Sequence, residues 1–217
     1  MKFGDAFTYV FQDPDWFKKI IIPALVGLLV PIVGQMVLLG WALKATLNVI
    51  RNNPNPLPDM DFGGDLGRGF KAWVVGLVYA IPMFIFYLPI MIFSIVAGES
   101  GEQSMAVIVA IAGACFGFLM LLYSIFMNLM LPAAYARVAV EDTIGAGLAF
   151  KEVFKMVKNN IVTYLLILVG TIAAGFISSL GSIACVIGIF LTVPYGMAIM
   201  GHLYGQGYLE AKNLEAV

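Results

Sequence analysis

Charge is what this sequence has least of. Only 12% of its 217 residues are Asp, Glu, Lys or Arg, against about 25% in soluble domains. No acid falls inside a long apolar run, so a proton relay at membrane depth lacks its usual partners. Histidine is nearly absent too. His202 stands alone, which excludes most metal centres built on histidine ligands and points to an interfacial or packing role. Two cysteines, Cys115 and Cys185, each lie within an apolar run. They read as small buried apolar residues, and nothing in their spacing argues for a pair. No catalytic or ligand-binding constellation stands out. No catalytic residue, cofactor, cofactor-binding residue or metal ligand is therefore expected, and the chain is read as not an enzyme. A lipid-acting enzyme would have to draw its acids from Asp59, Asp61, Asp65, Glu141 and Asp142, with no nucleophile or metal set beside them. No secretory signal is expected, because residues 1–17 mix aromatic and acidic side chains ahead of the first apolar run. Lys2 and the C-terminal residues carry no lipidation signature.

What is present is grease. Hydrophobic residues make up 61% of the chain and mean hydropathy is +0.96, a composition that belongs in lipid. Ile20 to Ile50 is apolar but broken at Pro31-Ile32-Val33-Gly34. It reads as a short or partly re-entrant pair of helices. Ala72 to Ala97 is long enough to span, with Pro82 and Pro89 on one face. A polar loop is expected at Gly98 to Ser104, then a second span from Met105 to Leu131 leading into Pro132. Two further runs are joined by Ser178 to Ser182, and the last of them, from Ile183 to Tyr208, holds Pro194. The tail from Glu210 reads as polar and short.

Between the runs lie amphipathic stretches. Phe3, Phe7, Val10 and Phe11 recur at helical spacing, as do Phe62, Leu66, Phe70 and Trp73. Asp13 and Pro14 suit the start of a helix, and Trp16 with Lys18 and Lys19 suits an interfacial anchor. The segment Ala149 to Lys158 sets Lys151, Lys155 and Lys158 opposite Phe150, Val153, Phe154 and Val157. Such a face suits anionic headgroups or a docked partner, and it is too small to be a nucleic-acid patch. Ala6-Phe7-Thr8-Tyr9-Val10-Phe11 matches Ala149-Phe150-Lys151-Glu152-Val153-Phe154 at four of six positions. The pattern reads as three repeat units, 1–51, 60–140 and 144–212, within one polytopic domain.

The map of cations agrees. All twelve Lys and Arg avoid the three expected tips, Gly34-Gln35, Gly98–Ser104 and Ser178–Ser182. By the positive-inside rule both termini and both long connections are cytoplasmic. A single first span would place Arg51, Arg68 and Lys71 outside, so Ile20 to Ile50 is expected to go in and come back. Lys44 then lies near the cytoplasmic end and snorkels.

Phe11-Gln12-Asp13-Pro14-Asp15-Trp16-Phe17-Lys18-Lys19, Pro31-Ile32-Val33-Gly34 with Leu38-Leu39-Gly40, and Leu57-Pro58-Asp59 with Asp61-Phe62 before Gly69-Phe70-Lys71 carry a resemblance. The chain resembles the prokaryotic membrane family known as domain of unknown function 4013. The resemblance implies a multi-pass membrane protein and no established activity, so no residue role comes with it.

The expected architecture is all-α. Six transmembrane or partly re-entrant helices form three hairpins, each preceded by a short cytoplasmic interfacial amphipathic helix, in the cell membrane. The expected function is an accessory, scaffold or lipid-interacting module. The alternative is a transporter or channel for a small or apolar substrate, with Pro82, Pro89, Pro132 and Pro194 lining a cavity near Asn128. Asn128 otherwise hydrogen-bonds between helices. Candidate docking residues are Lys151, Lys155, Lys158, Lys18 and Lys19. Gly113, Gly117, Ala106 and Ala110 form a small-residue stripe, and Gly201 with Gly205 repeats the spacing; packing within the bundle or self-association would use them. Membrane lipid is the expected partner, with a protein partner or a second copy beside it and no nucleic acid.

Overall fold

The computed structural model describes residues 2–100 and 103–215. Among them no strand occurs. The helices are α1 (Asp5–Thr8), α2 (Trp16–Leu29), α3 (Val33–Ile50), α4 (Phe62–Ser100), α5 (Gln103–Glu141), α6 (Ile144–Leu148), α7 (Phe150–Asn159), α8 (Ile161–Leu180) and α9 (Cys185–Glu215). Among the described residues four helical stretches are long and apolar enough to cross a membrane: Val33–Ile50, Phe62–Gly98, Ser104–Glu141 and Ile161–Ile183. At 14 residues, α2 is about 21 Å long, short of a hydrocarbon core of about 30 Å.

The chain forms two compact units, one from Met1–Val75 with Leu129–Val217 and one from Gly76–Asn128. In the first, α3 is the central element. It buries Val37, Leu38, Trp41, Leu43 and Ala45 completely. Trp41 Nε1 donates to the Pro58 carbonyl at 2.9 Å, Lys44 Nζ to the Asp59 carbonyl at 2.8 Å and Asn48 Nδ2 to the Pro56 carbonyl at 3.2 Å. These three bonds strap the proline-rich connection along α3. Close helix approach then needs residues without a Cβ. A methyl on Gly40 would strike the Asp65 backbone of α4, and one on Gly69 would strike the Met36 carbonyl of α3. Gly201 and Gly205 of α9 meet the carbonyls of Ala42 and Thr46 in the same way. Thr46 Oγ1 bridges that crossing to the Gly201 carbonyl at 2.9 Å. The Gly201/Gly205 stripe therefore packs α3 on α9.

In the second unit Tyr123 donates to the Tyr79 carbonyl at 2.7 Å, and the Phe86 and Tyr123 rings lie 6.2 Å apart. Gly113 and Gly117 have open space where a Cβ would stand.

Four expectations need correction. Helix continues through Gly98 to Ser100 and resumes at Gln103; Gly101 and Glu102, the centre of the expected polar loop, lie outside the described residues. The short polar stretch from Glu210, expected as a tail beyond the last run, belongs to α9, which runs to Glu215. Phe62 to Trp73 is not a separate helix but the start of the 39-residue α4. Its covered face is Asp65, Gly69 and Ala72, while Phe62, Phe70 and Trp73 are exposed. The N-terminal segment is a four-residue helix followed by a 3-10 turn over Tyr9–Gln12; of the stripe Phe3, Phe7, Val10 and Phe11 only Val10 is buried, together with Ala6 and Tyr9 from outside it. The break in the first apolar run falls where proline and glycine suggest, between Leu29 and Val33.

Candidate functional site

α7 is ten residues long and docks one edge only. Val153, Met156 and Val157 are buried, and Phe150 and Phe154 remain about half exposed. Lys151, Lys155 and Lys158 are exposed. At 100° per residue Phe150 and Phe154 fall between the buried edge and the three lysines. The face thus reads apolar inward, aromatic at the side and cationic outward. Sequence reasoning set all four apolar residues on one side together; the fold divides them, because the flanking α8 and α9 cover only the valine edge. Arg137 of α5 ties the start of this region down. Its Nε donates to the Ala146 carbonyl at 2.9 Å, and its guanidinium pairs with Glu152 at 3.1 Å and Glu141 at 3.0 Å. Thr143 Oγ1 accepts from Ala146 N and caps α6.

The remaining sequence candidates sit elsewhere. Lys18 is exposed on α2. Lys19 is largely covered and donates to Asp13 Oδ2 at 2.8 Å and to the Leu57 carbonyl at 3.2 Å. Asp13 itself does not cap α2 at its N-cap, which is Asp15. It accepts instead from Asp15 N at 2.9 Å and anchors Lys19, so it organises the turn and the helix together. Asn128 donates to the Ser124 carbonyl of its own helix at 2.8 Å, so its amide closes on α5 rather than bridging two helices. Cys115 is exposed and free, and the Cys185 side chain lies outside the described residues. Among the described residues no group of three or more His, Cys, Asp or Glu gathers as a metal site.

One participant gave no sequence signal. Tyr9 is buried, donates to the Ala198 carbonyl at 2.9 Å and stacks on His202 with centroids 4.5 Å apart. Burial pushes its phenol well above the usual range, so it stays a neutral donor. Gln206 Nε2 reaches both His202 Nδ1 at 3.2 Å and the Lys2 carbonyl at 3.0 Å. His202 is thus a packed side chain that ties α9 to the N-terminal segment. A tyrosine amid phenylalanines shows a role of this kind only once its partner 189 residues away is in place.

The family described as protein of unknown function (DUF4013) matches residues 24–187. The chain belongs to this family. The match runs from the second half of α2 to the start of α9, so α7 and its lysines lie within the family's own span. No curated protein and no solved structure matches significantly.

Proposed function

We propose that this family member is a multi-pass membrane module without catalytic chemistry, which engages anionic lipid on the cytoplasmic side of the cell membrane and serves as an accessory or scaffold there. The observation that carries the reading is the division of α7. Two half-exposed phenyl rings beside three exposed lysines match a helix lying in the interface, rings toward the acyl boundary and ammonium groups among headgroups. Each such cation contributes about 1 kcal/mol near an anionic surface.

The finer topology belongs to the same proposal: six segments in three hairpins, the first one short, with repeat units 1–51, 60–140 and 144–212 and both termini cytoplasmic. At 39 residues each, α4 and α5 are about 58 Å long, so their ends extend beyond a hydrocarbon core of about 30 Å. Arg68 and Lys71 near the start of α4 and Arg137 near the end of α5 suit that overhang. The test compares thermal unfolding in nanodiscs of phosphatidylcholine alone and with phosphatidylglycerol. The anionic lipid is expected to stabilise the native chain. The Lys151→Gln/Lys155→Gln/Lys158→Gln variant is expected to lose most of that gain, and an undiminished gain would sink the reading.

A transporter or channel is the second reading, favoured by Pro82, Pro89, Pro132 and Pro194 inside long helices. Its test is flux in liposomes: Asn128→Leu must change transport while the variant stays folded.

A further inference from the structure

Two apolar recesses, each of about 210 Å³, meet at Leu191. Val10, Phe11, Trp16, Ile20 and Tyr195 line the first. Phe17, Ile21, Leu25 and Phe190 line the second. Together they run along α2 from Phe17 to Leu25, about 12 Å of helix, against the first half of α9.

The hydroxyls in the wall are engaged elsewhere. Thr192 borders the first recess, but its hydroxyl donates to the carbonyls of Ser178 at 3.0 Å and Gly188 at 3.1 Å. Tyr195 donates to the Phe7 carbonyl at 2.6 Å. The rim, by contrast, is aromatic and fixed. Phe11 lies 5.2 Å from Trp16 and 5.3 Å from Tyr195, and Trp16 lies 5.7 Å from Phe17. Next to Phe17 stands the exposed Lys18.

We infer that this groove holds one acyl chain of an anionic membrane lipid, its headgroup at Lys18. The size selects the occupant. A helix is about 10–12 Å across with its side chains, too wide for recesses of this volume, whereas an unbranched hydrocarbon chain is narrow enough. Convex helix surfaces exchange lipid freely, but a groove between two packed helices encloses the chain and retains it. Interfacial Trp and Tyr rings belong at the level where chain meets headgroup. The inference rests on the lipid-interacting reading above, yet it uses none of the residues of α7.

The test uses the full chain in nanodiscs doped with phosphatidylglycerol that carries a diazirine in the upper half of one acyl chain. After photolysis, adducts are mapped by peptide mass spectrometry. They are expected to concentrate on residues 10–25 and 190–195. Leu191→Trp fills the junction of the two recesses and is expected to lower those adducts about tenfold, equivalent to about 1.4 kcal/mol of lost retention. Should that variant fail to fold, Leu25→Trp closes the second recess from a half-exposed position and is expected to act in the same direction. Adducts spread evenly over the exposed apolar side chains of α4 and α5, or crosslinks from the groove to a second copy, would overturn the inference. The Lys151→Gln/Lys155→Gln/Lys158→Gln variant separates the two claims. Groove adducts together with an undiminished anionic stabilisation in that variant leave this inference standing without the α7 reading. Lost stabilisation with no groove adducts leaves only the α7 reading.

Discussion

Ile32 has φ 61° and ψ −65° and is 66% exposed. Val33 N donates to the Pro31 carbonyl across it at 2.6 Å, which closes a γ-turn of the strained, positive-φ kind. A β-branched residue there is a genuine outlier. Ile32→Gly is expected to stabilise the chain by about 1 kcal/mol, the relief of strain exceeding the added freedom of the unfolded state. Thermal unfolding in detergent reads it, and a loss of stability would show that the turn tolerates isoleucine without strain. Asn52 makes the opposite case. It has φ 52° and ends α3 in a Schellman arrangement, with Asn53 N on the Asn48 carbonyl at 2.9 Å and Asn52 N on the Val49 carbonyl at 3.0 Å. Asparagine accepts that conformation, so Asn52→Val is expected to cost about 1–2 kcal/mol, read in the same assay. Gly40 has a different reason to be glycine. Its place is taken by the α4 backbone, so Gly40→Ala is expected to destabilise by about 3 kcal/mol or to misfold.

At the scale of elements, burial decides what periodicity leaves open. In α7 the helical spacing of Phe150, Val153, Phe154 and Val157 was readable, but only the fold shows which pair is covered. Val153→Asp is therefore expected to detach α7 and cost about 3 kcal/mol or more, through an unpaired buried charge. Phe154→Ala is expected to leave stability in detergent within about 0.5 kcal/mol, as exposed substitutions do. Unfolding curves of the two variants check the asymmetry. The start of α4 misleads by the same route. The stripe Phe62, Leu66, Phe70 and Trp73 marked a separate interfacial segment, yet it opens the long α4, and packing against α3 demands small residues and places Asp65, Gly69 and Ala72 inside. Asp65 is tolerated there because Arg68 pairs with it at 3.0 Å and Asp61 N donates to it at 2.8 Å.

For the whole molecule, one contrast stands out among helices of similar composition. More than half of the apolar window of α3 is buried within the protein, whereas none of the corresponding windows of α4 and α5 is. Exposed apolar surface costs about 25 cal/mol per Å² in water, so side chains such as Phe84, Ile85 and Phe118 call for apolar surroundings. The proposed topology is checked by single cysteines in a background lacking Cys115 and Cys185. Asn53→Cys is expected to resist an impermeant thiol reagent in intact cells and to react after permeabilisation. Labelling from outside would invert the proposed orientation.

Composition and periodicity alone determined the class: an all-helical chain with several helices fit for a membrane, and the break near Pro31. These are local or summed properties, and each residue contributes to them wherever its partners lie. Tertiary structure alone decided the rest. It set Lys19 on the Leu57 carbonyl, tied Tyr9 to α9 and formed the groove at Leu191. Those outcomes depend on which surfaces meet across long sequence separations. A pattern of apolar residues specifies that a face will be covered, and the shape of the neighbour decides which side chains it covers.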